Sequence, residues 1–89
     1  MSLEQRVLNL CSPGKILRTK AYLRFFTGYR SQGRDGGIYI IKSSEIHSDI
    51  NRVFVTLNDD WVLKFDIDDF DSRRGGEPEI NKWIEILGN

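Results

Sequence analysis

Val53-Phe54-Val55-Thr56-Leu57-Asn58-Asp59-Asp60-Trp61-Val62-Leu63-Lys64-Phe65 decides the fold class. Two runs of β-branched and aromatic residues flank a three-residue polar turn, the signature of a hairpin. Pairing Leu57 with Trp61 sets Val55 opposite Leu63 and Val53 opposite Phe65. Leu57, Trp61, Val55, Leu63, Val53 and Phe65 then fall on one face. A two-residue loop would shift the register by one and split that face, so a three-residue loop is required.

Upstream the period of two continues. Lys15 to Thr27 reads as one strand, with Leu17, Thr19, Ala21, Leu23 and Phe25 on one side. The other side carries Ile16, Arg18, Lys20, Tyr22, Arg24 and Phe26. Gly37 to Ser43 is a further run of β-formers behind the turn-rich segment Gly28 to Gly36. Helix signals stand at both ends. Ser2 with Gln5 makes a capping box, Leu3, Val7 and Leu10 follow at helical spacing, and Ser12-Pro13-Gly14 stops the segment. Pro78 suits a first helical turn, and Ile80, Trp83, Ile84 and Leu87 repeat at i, i+3, i+4 and i+7 before Gly88. The expected fold is a two-layer α+β domain: a mainly antiparallel sheet of about four strands, a C-terminal helix packed on one face, and a short N-terminal helix. Ile80, Trp83, Ile84 and Leu87 should meet Trp61, Leu63, Phe65, Val53, Val55 and Leu23 in its core.

The 89 residues suit a single domain spanning 1–89 with one modest core. At 39% hydrophobic and 29% charged, the composition is that of a folded protein. A lone cysteine, Cys11, has no intramolecular partner, which points to a reducing, cytoplasmic setting. The chain shows neither a signal-like apolar leader nor an apolar run near the roughly 18 residues of a membrane span, so no membrane partner is expected.

Zero net charge hides a polarity. Residues 1–42 hold eight basic and two acidic side chains, a formal charge of +6. Residues 43–89 hold five basic and eleven acidic ones, a formal charge of −6. Such asymmetry suggests a charged partner. The outer positions of the first strand, Arg18, Lys20, Tyr22, Arg24 and Phe26, alternate cation and ring, and Arg30 and Arg34 extend the set through the loop. Cations neutralise phosphates and flat rings stack on unpaired bases, at about 1–3 kcal/mol per base. Against this stands the ordinary wet face of an antiparallel strand, where polar residues recur at every second position. The expected function is a non-catalytic module contacting single-stranded or structured nucleic acid. The alternative is a protein–protein adaptor or small homo-oligomer, a homodimer among them, in which a basic face meets an acidic one.

Sharper chemistry finds no footing. Asp66, Asp68 and Glu77 occupy first, third and twelfth places of a calcium loop. Phe70 and Asp71, however, stand where a ligand and a glycine belong. Asp66 to Asp71 has a simpler reading as negative charge ahead of a helix start. Gly37-Ile38-Tyr39 echoes half of the GIY-YIG nuclease signature with no second half. Gly28 to Gly33 has P-loop glycine spacing, but Arg34-Asp35 replaces its Lys-Ser/Thr. His47, the one histidine, lies in a seven-residue Ser/His/Asp cluster too local for a triad and reads as a loop residue. Cys11 ends an apolar stripe and reads as core. No metal, cofactor or catalytic residue is expected.

Overall fold

The computed structural model describes residues 2–20, 23–27, 30–72 and 76–88, with 23–27, 30–32 and 34 described by backbone alone. Among the described residues one α-helix, α1 (Leu3–Leu10), precedes seven strands: β1 (Ile16–Thr19), β2 (Leu23–Thr27), β3 (Arg30–Arg34), β4 (Ile38–His47), β5 (Arg52–Leu57), β6 (Val62–Asp66) and β7 (Ile84–Gly88). All pairings are antiparallel. Five strands in the order β7-β1-β4-β5-β6 form the body. The β2–β3 hairpin adds to β6, with Phe26 opposite Val62.

The β5–β6 hairpin has the register expected from its sequence, with Val53 opposite Phe65 and Val55 opposite Leu63. Its loop is closed by the Leu57 N–H donating to the Trp61 carbonyl at 2.8 Å, and Asp60 takes a left-handed φ of 68°. The left-handed residue is what a three-residue hairpin loop needs. Val53, Val55, Leu57, Leu63 and Phe65 are all buried.

β4 divides the body into two leaves. Its first residues pair with β1 and the remainder with β5, across an irregularity between Ile41 and Ser43. Such a break bends a strand and lets it pass from one sheet layer to another. The buried residues of both leaves share one cluster with Val7 and Cys11 of the α1 segment. The Ser2 hydroxyl caps α1, accepting from the Gln5 N–H at 3.1 Å. Val7 and the capping Cys11 are buried and Leu3 is half-buried against them, while Leu10 is exposed.

Besides the strand count, five in the body against the expected four or so, three expectations need correction. The C-terminal segment is not a helix. Pro78 does begin a turn, but it is a 3-10 turn over Glu79–Lys82, and Ile84–Gly88 then forms β7. A helix there would leave the outer edge of β1 unpaired, whereas β7 pairs along the whole of β1. β-branched Ile84 and Ile86 favour the strand, and the segment is too short to hold a helix alone. Secondly, Lys15 to Thr27 is two strands. β1 stops at Thr19 because its partners stop there, β4 beginning at Ile38 and β7 at Ile84. Thirdly, β4 runs on to His47, whose ring meets Phe54 edge-on at 4.6 Å. Leu87, expected in the core, is exposed, and Leu23, expected there too, belongs to the residues described by backbone alone. No helix among the described residues is long and apolar enough to cross a membrane.

Leu17 is fully buried on the inner face of β1, between the two leaves. Leu17→Ala is expected to lower stability by about 2–5 kcal/mol in urea unfolding. That is a large share of the whole for a domain of this size.

Candidate nucleic-acid interface

Alternation along β1 buries Leu17 and Thr19 and turns Arg18 outward. Arg18 stands directly across from Glu85 of β7, and its Nη2 donates to Glu85 Oε1 at 2.5 Å. Both side chains remain largely solvated, so the pair contributes at most about 1 kcal/mol. Lys20 lies just beyond the strand. Its Nζ donates to the Asn81 carbonyl at 2.8 Å and its N–H to the Trp83 carbonyl at 2.7 Å. Lys20 also borders an open cleft of about 300 Å³ whose wall includes Glu77 and Glu85 around Leu10, Phe70 and Ile80. Arg18 and Lys20 are thus tied to the C-terminal segment of their own chain.

The remaining expected residues sit on the hairpin. Tyr22 lies outside the described residues, and Arg24, Phe26, Arg30 and Arg34 are placed by backbone alone. In the β2–β3 register Arg24 stands opposite Gly33 and Phe26 opposite Ser31. Arg30 and Arg34 stand opposite Thr27 and Leu23, the alternate set of positions. The expected single stripe of cations and rings is therefore divided between β1, held in the body, and the hairpin, which the body meets through β6.

Sequence reading missed what ties off the neck of this hairpin. Thr19 is 3% exposed, and its hydroxyl accepts from the Gly37 N–H at 2.8 Å. The Thr19 N–H donates to the Gly37 carbonyl at 2.9 Å. Beside them the backbone of Gly36 comes so close that a Cβ would stand 2.7 Å from the Thr19 carbonyl oxygen. The two ends of the excursion from Lys20 to Asp35 are held at this clasp. The clue in the sequence was a threonine on the apolar face of the strand, answered by paired glycines just before the next one.

The acidic residues have their own attachments. Asp66 accepts from Arg52 Nε at 2.9 Å, and Asp68 accepts from the Asn51 amide at 3.1 Å. Phe70, in the place a calcium ligand would take, is buried edge-on to Phe65. No group of three or more His, Cys, Asp or Glu is arranged to hold a metal ion among the described residues. Partial burial raises the Asp69 carboxyl above its ordinary value, reinforced by the charges of Asp66, Glu79 and Asp68. Burial pushes the Cys11 thiol up to about 12, so it stays protonated at neutral pH, as a core residue would. No family model, curated protein or solved structure matches the chain.

Two predictions follow from this geometry. Gly36→Ala places a methyl group against the Thr19 backbone and is expected to destabilise the domain by about 1–3 kcal/mol, read from the urea midpoint. Asp69 holds its proton more tightly folded than unfolded, so its ionisation lowers stability as pH climbs through the raised value. Asp69→Asn should therefore raise the Tm at pH 7. The gain should shrink as pH falls below the ordinary value of 3.8, where the carboxyl is protonated in the folded and unfolded chain alike.

Proposed function

We propose that the chain is a small non-catalytic binding module that contacts single-stranded or structured nucleic acid through its β2–β3 hairpin. The observation that carries this reading is the charge of the hairpin and its attachment. From Lys20 to Arg34 there are four basic residues and no acidic one, and the hairpin joins the sheet beside β6, with Phe26 opposite Val62. A cationic ribbon of this kind suits a phosphate backbone. Meanwhile acidic groups of the second half neutralise cations elsewhere: Glu85 meets Arg18, Asp60 meets Lys42, Asp66 meets Arg52 and Glu79 meets Lys82.

Within this reading Arg24, Arg30 and Arg34 provide the phosphate contacts, and Tyr22 and Phe26 offer faces for unpaired bases to stack on. Arg18 and Lys20 contribute less, since binding would compete with Glu85 and with the carbonyl of Asn81. A second reading, association with protein, is favoured by a different observation: Ile38, Ile40 and Leu87 are exposed.

The test is retardation of mixed single-stranded RNA and DNA at low salt and micromolar protein. Binding should weaken log-linearly with salt. Changing Arg24, Arg30 and Arg34 together to Ala should weaken it for every sequence, and flatten the salt slope by up to about three units. Changing Arg18 and Lys20 to Ala should do less. Absence of retardation by the parent protein, or an unchanged slope in the triple variant, overturns the reading.

A further inference from the structure

We infer that the outer face of the β4-β1-β7 leaf is a two-fold interface between copies of this chain. Along β4, Tyr39 and Ile41 turn inward while Ile38 and Ile40 turn outward, 66% and 48% exposed. The register sets Ile40 beside Ile16 of β1 and Ile16 beside Gly88 of β7. Leu87, 48% exposed, precedes Gly88 at the irregularity in that pairing. Ile40, Ile16 and Leu87 thus form an apolar row across three adjacent strands, with Ile38 beside it. Among the described residues the other large exposed apolar side chains, Leu10 beside the cleft at the end of α1 and Ile50 in a 3-10 turn, lie outside this row. Scattered residues of that kind are ordinary, whereas a row across three strands offers a contiguous apolar patch.

The charges on this face select the occupant. Arg18 is paired with Glu85 within it, and Lys42 with Asp60 at 2.6 Å beside it. Two cations and two anions leave no net charge to attract a polyanion or an acidic or basic partner. A second copy fits differently. A two-fold contact joins a surface to itself, so it must be self-complementary, and neighbouring Arg18 and Glu85 offer each sign to the opposite sign of the other copy. The chain's zero formal charge also removes long-range repulsion between copies.

Size sets the strength. Three strands about 4.8 Å apart and about four residues long give a face roughly 15 Å on a side. That falls short of the ~800 Å² per partner of a standard interface. The dimer is accordingly weak and populated only at high concentration.

Sedimentation velocity from ten micromolar to one millimolar protein tests this. The parent should move from monomer towards, and not beyond, twice the monomer mass. Ile38→Lys with Ile40→Thr should keep the protein monomeric while retaining its circular dichroism spectrum. Ile50→Lys, on another surface, should leave association unchanged. If the double variant loses its spectrum, Ile38→Lys alone decides the matter from the most exposed position. A parent that stays monomeric throughout, growth past the dimer, or association that survives Ile38→Lys would overturn the inference.

Discussion

Ile41 is where the structure is held together. Its side chain is buried, and it pairs with Leu57 on the β5 side. On the other side its N–H donates to the Lys15 carbonyl at 2.9 Å and its carbonyl accepts from the Gly14 N–H at 2.8 Å. One residue therefore connects the β5–β6 leaf to the segment that starts β1, at the point where β4 bends. The bend lets the strands of both leaves share a single core with α1. Without it, β4 would continue one open sheet whose inner face α1 alone could not cover.

Because β1 enters beside Ile41, its other edge must be filled, and that requirement overrides local preference at the C-terminus. Ile80, Trp83, Ile84 and Leu87 satisfy a helical period, yet Ile84, Ile86 and the Arg18–Glu85 contact satisfy a strand beside β1. Periodicity cannot separate the two readings in so short a segment. What decides is a row of backbone hydrogen bonds to a strand more than sixty residues away, which no local pattern records. The β5–β6 hairpin was legible for the opposite reason. Its register depends only on a three-residue loop and on five apolar side chains that must share a face. α1 was legible through the Ser2 cap.

The candidate interface was legible in composition and less so in arrangement. Continuous alternation from Ile16 to Phe26 implied one face. The loss of partner strands after Thr19 separates Arg18 and Lys20 from Arg24, Arg30 and Arg34. Charge asymmetry along the sequence likewise became specific pairs in space, with Arg18 on Glu85 and Lys42 on Asp60. Both pairs join the basic half to the acidic half, so folding discharges part of the polarity inside the molecule. The stretch from Lys20 to Arg34, with no carboxylate of its own, keeps the basic character the sequence advertises.

Two surfaces of opposite physical character follow from this division. The hairpin carries charge, and any polyanion it holds is released as counterions compete for it. The outer face of β4-β1-β7 is apolar with its ions already paired, and adding salt has little to screen there. An assembly of two copies would bring two cationic hairpins to one nucleic acid, and linking two weak contacts raises the effective concentration of the second once the first is made. A gain from dimerisation would therefore be largest at low salt, where each hairpin binds. It would fade at high salt even while the dimer itself persists. This difference in salt response separates a hairpin that binds from a face that assembles.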